Sequence, residues 1–389
     1  MEKISEIDLI LGVNEKKDIV AYIEKFVQEK EQTEQGEYSN QKNFTKEKQN
    51  DVTEKTIAIS DVLHQKEFVD FGTVTYTEKT RAVIKVQDGC DRYCSYCLIP
   101  YARGRVRSRR PDSVIAEIQE IAQNGIKEVV ITGIHIASYG KDFNAEKISK
   151  INETLQTHKN EYRLIDLLEE INQIEGIERI RLGSIEPTLI TEEFTQRLSK
   201  LNKICDHFHL SLQSGCTQTL KRMNRRYTTE EFETVTQILR KYYPNAALTT
   251  DIIVGFPGET EDEFKQTYEY LKKIAFYKMH VFKYSPRKGT KAAVMPNQVD
   301  GNIKEERSKK LIALSDENEK RYNREYIGKM VNVLFEDEHC ENGNTYIKGH
   351  TTNYIIVKVK QGEKEKIKSN AIKKVKIIGV DGIELIGEV

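Results

Sequence analysis

Gln87-Asp88-Gly89-Cys90-Asp91-Arg92-Tyr93-Cys94-Ser95-Tyr96-Cys97 is the stretch on which the reading of this chain turns. It follows an apolar segment, Ala82–Val86, that reads as a strand, and its cysteines are spaced Cys-x3-Cys-x2-Cys. One tight loop thus offers three thiolates together, enough for three corners of a cubane [4Fe–4S] cluster. A cubane has a fourth iron, which finds no protein ligand within the motif and is open to an exogenous chelating group. A structural zinc site is the competing use. Zinc wants four closed ligands, and with no fourth Cys or His in the loop, His135 on the next strand is the residue that could supply one.

On either side of this loop, strand-like segments alternate with helical ones: Ala82–Val86, Glu128–Thr132, Arg179–Gly183, Phe208–Leu212, Leu248–Val254 and Lys278–Tyr284. Six such units predict an α/β fold with a parallel sheet wrapped by helices. Thr228 with Glu231 and Thr260 with Glu263 have capping-box spacing, and Gly125 is placed to stop the helix that begins near Pro111. In barrel-like parallel folds reactive groups collect at the C-terminal ends of strands. Cys90, Gly133-Ile134-His135, Ser184-Ile185-Glu186, Gln213-Ser214-Gly215 and Gly255-Phe256-Pro257-Gly258 all follow strands and would ring one mouth. Gly133, Ser184, Gln213 and Gly255 are therefore candidates to hold the ribose, carboxylate or adenine of a ligand. His207 and His209 lie two apart on a strand and face one side; they are assigned no role.

At 389 residues the chain is long enough for two or three domains. Lys plus Arg and Asp plus Glu each number 61, so bulk charge announces no nucleic-acid partner and any basic surface must be local. With 31% charged residues, no membrane-length apolar run and no signal-peptide pattern, the expectation is a soluble cytoplasmic protein. Six cysteines are too few for a disulfide scaffold. Cys205, Cys216 and Cys340 are isolated and read as ordinary thiols. The N-terminus reads as a strand, Ile7–Leu11, and a helix through Phe26, followed from about Gln28 to Glu54 by residues too polar to offset the entropy of ordering. After a charged helix from Ile303 to about Tyr326, Val331–Phe335, Tyr346–Gly349 and Tyr354–Val359 read as short strands of a small all-β domain.

Six stretches carry a resemblance: "IKVQDGCDRYCSYCLIPYARGRVRSR", "ITGIHIASYG", "RLGSIEP", "HLSLQSGCTQTLKRMNRRYT", "TDIIVGFPGETEDEF" and "HVFKYSPRKGTKAA". With them the chain resembles the radical S-adenosylmethionine (SAM) methylthiotransferases from about Ile7 to its end, and "TGIHIASYG" is similar to the branch that acts on N6-threonylcarbamoyladenosine in tRNA. The resemblance implies a partial (β/α)6 radical SAM barrel with a C-terminal TRAM domain, an OB-like RNA-binding barrel. The implied division is residues 1–29 as the remnant of an N-terminal domain, 30–77 as a partly disordered linker, 78–323 as the radical SAM core and 324–389 as the TRAM domain. Cys90, Cys94 and Cys97 match the ligands of the SAM-cleaving cluster, so the implied cofactors are a [4Fe–4S] cluster and SAM. The implied partners are tRNA and an electron donor such as flavodoxin or ferredoxin, with no membrane. The implied activity is transfer of a methylthio group to C2 of the modified adenosine next to the anticodon. Family members also hold an auxiliary [4Fe–4S] cluster on three earlier cysteines, and this chain has no cysteine before Cys90. It therefore reads as N-terminally truncated. The alternatives are a non-catalytic tRNA-binding remnant or a methylthiotransferase for another nucleoside.

Two basic stretches read as RNA contacts. Arg103, Arg105, Arg107, Arg109 and Arg110 follow the cysteine loop, close enough to neutralise phosphates near the mouth. The last domain carries Lys348, Lys358, Lys360, Lys364, Lys366, Lys368, Lys373, Lys374 and Lys376 with Tyr346 and Tyr354, a mixture suited to backbone neutralisation and stacking.

Overall fold

The computed structural model describes residues 7–40, 56–72, 80–341, 343–362 and 366–389. Six parallel strands lie at its centre: β1 (Arg81–Asp88), β2 (Glu128–Gly133), β3 (Arg179–Leu182), β4 (His207–Gln213), β5 (Ala247–Val254) and β6 (Lys278–Lys283). β1, β2 and β3 pair in parallel, with Val83 opposite Val130 and Val130 opposite Arg181. β4, β5 and β6 do the same, with Phe208 opposite Leu248 and Ile252 opposite Val281. The triplets join just past β3, where the Ile185 amide donates to the His209 carbonyl at 2.8 Å and the Ile185 carbonyl accepts from Ser211 at 3.0 Å. Among the described residues β1 and β6 are not paired, since the other neighbour of β1 is the short antiparallel strand Arg107–Ser108. The result is a partial barrel. The six predicted central strands are all present, within two residues of their expected ends.

Alternation explains the packing. Ala82, Ile84 and Val86 point from β1 into the main core, and helices supply the opposing apolar stripe. From α1 (Pro111–Gln123) come Val114, Ile118 and Ile121, and from α2 (Leu164–Asn172) come Leu164, Leu167, Leu168 and Ile171. Ile84→Ala would remove one fully buried side chain and cost about 2–5 kcal/mol. Both capping boxes form, on α3 (Thr229–Tyr242) and α4 (Glu261–Ile274), and Gly125 takes a φ of +82° after α1.

A long helix, α5 (Gly301–Arg324), leads to a second barrel closed from five strands: β7 (Met330–Glu341), β8 (Asn344–Thr351), β9 (Ile356–Lys360), β10 (Ile372–Asp381) and β11 (Glu384–Glu388). Val333, Phe335, Ile347, Val357, Val375, Ile377 and Leu385 fill it. This small barrel docks on the N-terminal ends of the central strands. Arg179 donates to the carbonyls of His350 (2.8 Å) and Asn332 (3.0 Å), and Arg181 donates to that of Thr352 (2.9 Å). Glu128, fully buried, receives Arg181 at 2.8 Å and Arg179 at 3.6 Å, so the charges that hold the domains together are themselves paired. The guanidinium of Arg181 also lies 4.6 Å above the ring centre of Tyr354.

The segment 30–77 is not linker throughout. The helix expected to fade after Phe26 runs from Ile19 to Asn40, and Thr56–Ala58 pairs in parallel with Leu9–Leu11. Polar composition argues against a core, yet Glu, Lys and Gln are good helix formers, and Lys25 and Glu29 sit one turn apart at 3.7 Å. Residues 41–55 and 73–77 of the expected linker lie outside the described residues.

Candidate active site: the cysteine loop at the strand mouth

The loop between Gly89 and Cys97 is tied down on every side. Gln87, the penultimate residue of β1, is buried; its side-chain amide donates to the carbonyls of Asp88 (2.6 Å) and Gly89 (2.8 Å), while its oxygen accepts the His135 amide at 2.6 Å. One side chain thus locks the loop entrance to the end of β2. Gly89 has φ +72°, and a Cβ there would lie 1.7 Å from the Arg105 carbonyl oxygen, so only glycine lets the loop pass this close. On the far side, Ser95 donates through its amide to the Met223 carbonyl (3.0 Å) and through its hydroxyl to that of Arg222 (2.8 Å). Tyr96 packs against Phe256, above a small apolar cluster of Met223, Phe256, Tyr284 and Ala292.

Cys90, Cys94 and Cys97 are free thiols, partly exposed, and charged neighbours reach them. The Arg225 guanidinium donates to the Cys94 sulfur at 3.3 Å, and the Ile99 amide donates to the Cys97 sulfur at 3.4 Å. Burial pushes the Cys90 thiol up to about 11 and raises that of Cys97 too, so metal loading must displace protons. Among the described residues no three His, Cys, Asp or Glu side chains converge on a point that a single ion could fill. Three free thiols on one loop fit the donor chemistry of a cluster, whose ligands sit on separate corners. His135 supplies no fourth ligand: its Nε2 meets Glu186 Oε2 at 2.5 Å and its Nδ1 meets the Ser138 hydroxyl at 2.8 Å.

Glu186 is the hinge of this network. Its carboxylate, 4% exposed, also receives Arg92 of the cysteine loop at 2.5 Å. Burial alone would raise this acid, but the hydrogen bond from His135 and the charges of His135, Arg92 and Arg225 outweigh it and hold the carboxyl at about 2. The loop, the end of β2 and the end of β3 are thereby bolted together by one buried anion.

Of the other residues expected around the mouth, Gln213 ends β4 with φ +73° and lines a cavity of about 440 Å³ together with Tyr96, Cys97 and Asp251. Ser184 is exposed beyond β3, and Gly133 lies against Gln87. The space a Cβ would take at Gly255 is filled by the Lys304 side chain, and its amide donates to Glu259 at 2.5 Å. Arg225 and the latch role of Glu186 escaped the sequence reading. Two adjacent arginines, Arg225 and Arg226, were the available signal.

The arginine run divides. Arg109 is buried with Asp70 (2.9 Å) and Glu117, Arg107 faces Asp88 (3.7 Å), as does Arg103 (3.8 Å), and Arg110 pairs with Asp112 (2.9 Å). Arg105 alone of the five has no side-chain partner among the described residues. In the small barrel, Lys348 pairs with Glu384 (2.5 Å), and Lys358 is buried between Glu341 (3.0 Å) and Asp381 (2.9 Å). Tyr354, stacked on His350 with its ring centre 4.6 Å away, serves the domain contact. These three are structural. Lys360, Lys366, Lys368 and Lys373 instead line a cavity of about 800 Å³, and Lys364 lies outside the described residues.

A parallel half-barrel with three unpaired thiols at its C-terminal mouth is the architecture of a radical SAM enzyme, and residues 84–271 match the sequence profile of the Radical SAM superfamily. The chain is 36% identical to the threonylcarbamoyladenosine tRNA methylthiotransferase MtaB of Bacillus subtilis (strain 168), over 96% of this chain and 74% of that protein. It is 34% identical to the MtaB protein of Aquifex aeolicus (strain VF5), over 94% and 77% respectively. It is also 40% identical to a tRNA-2-methylthio-N(6)-dimethylallyladenosine synthase of Caldicellulosiruptor saccharolyticus, over 79% of this chain and 62% of that one. The chain belongs to the radical SAM methylthiotransferase family, in its MtaB branch. It is a transferase, with a [4Fe–4S] cluster and SAM as cofactors. No helix among the described residues is long and apolar enough to cross a membrane.

Proposed function

We propose that this chain transfers a methylthio group to C2 of N6-threonylcarbamoyladenosine beside the tRNA anticodon, in the cytoplasm. The observation that carries the proposal is the loop of three free thiols fixed at the strand mouth, in a chain similar to two MtaB proteins over more than nine-tenths of its length. Alignment with the dimethylallyladenosine synthase is shorter, which favours the threonylcarbamoyl substrate.

Cys90, Cys94 and Cys97 hold the cluster, and when bound it supplies reductive SAM cleavage, with electrons from a donor such as flavodoxin or ferredoxin. Arg225 offsets the thiolate charge of Cys94 and fixes its sulfur. Arg92, Glu186 and His135 keep the loop from swinging. Beside Cys97, the cavity bounded by Gln213 and Asp251 would take SAM, and Gln213 would offer it donors and acceptors. Gly133, Ser184 and Gly255 remain candidate contacts at the same mouth. The five-stranded barrel is proposed to be a TRAM domain that grips RNA through Lys360, Lys366, Lys368 and Lys373. No cysteine precedes Cys90, and the sulfur-donating step is assigned to none of these residues.

Mass spectrometry of tRNA nucleosides tests the proposal in cells whose only methylthiotransferase gene is this one. A methylthio mark on threonylcarbamoyladenosine is expected. A mark on another nucleoside, or unmarked tRNA despite binding, overturns it.

A further inference from the structure

Next to the cysteine loop lies a second cleft, of about 360 Å³, lined by Asp91, Arg92, Arg105, Ser138, Lys141 and Arg226 among others. Its charged lining is four cations, Arg92, Arg105, Lys141 and Arg226, against two carboxylates, Asp91 and Asp142. Arg92 is spent on Glu186 at 2.5 Å, and Asp142 is occupied by Ser108, whose hydroxyl donates at 2.6 Å and whose amide donates at 3.1 Å. Arg105, Lys141 and Arg226 are exposed, and among the described residues none has a side-chain hydrogen bond or an ion pair. With Arg92 held by Glu186, the remaining cations, Arg105, Lys141 and Arg226, still outnumber Asp91 and Asp142, and Asp142 also faces Lys147 at 3.9 Å, so the hollow carries a net positive charge that favours an anion in it.

Their anchoring ties the hollow to the reaction centre. Arg226 follows Arg225, which touches the Cys94 sulfur; Arg105 follows Gly104, whose carbonyl accepts the Cys90 amide at 3.0 Å; Lys141 donates through its amide to the carbonyl of Ser138, which is bonded to His135. The backbone that carries each cation is therefore anchored beside the mouth. Tyr93 and Tyr101, both partly exposed, stand edge to face on the same loop region with ring centres 5.7 Å apart, a surface on which a base can stack.

We propose that Arg105, Lys141 and Arg226 form a phosphate clamp that seats one or two backbone phosphates of the substrate RNA next to the target nucleoside. The proposal rests on the reading that the substrate is a tRNA. Phosphate contacts position a strand without reading its sequence. The clamp would thus fix which nucleotide reaches the mouth by its distance along the backbone.

Fluorescence anisotropy tests it with cluster-loaded protein and a labelled anticodon stem–loop carrying N6-threonylcarbamoyladenosine, over a salt series. For the triple variant Arg105→Ala, Lys141→Ala, Arg226→Ala, binding should weaken about tenfold or more at 0.15 M salt, and the slope of log affinity against log salt should fall by about 1–2. Arg226→Lys keeps the charge and should keep the slope. If the triple variant melts early, Lys141→Ala alone, at an exposed site, should still lower the slope by about 1. Unchanged affinity and slope in the variants overturn the clamp while leaving the tRNA reading intact. A wild-type protein that ignores the stem–loop overturns both. Equal competition by an acidic peptide of matching charge also overturns the clamp, in favour of a protein ligand.

Discussion

Replacing Glu186 by Gln keeps the shape of the side chain and removes the anion that joins Arg92 to His135. In the folded protein this carboxyl sits at about 2 against an ordinary value of 4.5. At about 1.36 kcal/mol per pH unit the difference corresponds to about 3 kcal/mol. Because the folded value is the lower one, this stability is fully present above pH 4.5 and is lost as pH falls through about 2. For a core of this size, about 3 kcal/mol is about 6–12 °C in melting temperature. The assay is unfolding of cluster-free wild-type and Glu186→Gln protein at pH 7 and pH 3. At pH 7 the wild type should lead by nearly the full amount, and at pH 3 by less than half of it. An equal gap at both values, or none at pH 7, would refute the latch.

Glu128→Gln should leave Arg179 and Arg181 with an uncompensated buried charge at the domain contact and cost about 3–5 kcal/mol, read by urea unfolding; protease cleavage between the two barrels should quicken with it. Arg225→Gln, by removing a positive charge beside Cys94, should move the cluster's reduction potential to more negative values, measured by redox titration followed by electron paramagnetic resonance. Thr260→Ala removes the hydroxyl that caps α4 and should cost about 1 kcal/mol with no change in iron content, checked by melting and iron assay.

Periodicity and punctuation made the six central strands legible, because β-branched runs ending in Gly, Ser or Gln announce themselves locally. The cysteine loop was legible for the same reason: its donors lie within eight residues of sequence. What escaped was long-range pairing. Arg107 and Arg109 read as RNA contacts in the sequence, yet Asp88, Asp70 and Glu117 claim them, and Asp70 lies 39 residues from Arg109. Lys358 and Tyr354 were misread alike, since the carboxylates and arginines that hold them arrive from other strands. Arg225 meets a cysteine 131 residues earlier, a contact no local pattern encodes. The helix to Asn40 is not legible from composition, because residues polar enough to suggest a linker also propagate a helix well.

The proposed function requires that three thiols at one mouth carry an iron–sulfur centre with an open corner for SAM. It is tested most directly by anaerobic reconstitution of wild type and of the Cys90→Ala, Cys94→Ala and Cys97→Ala triple variant, assaying bound iron and the 5′-deoxyadenosine released from SAM under reductant. Wild type should bind one cluster and release the nucleoside, and the variant should do neither. A variant that still holds iron and cleaves SAM, or a fully loaded wild type that releases nothing, would contradict it.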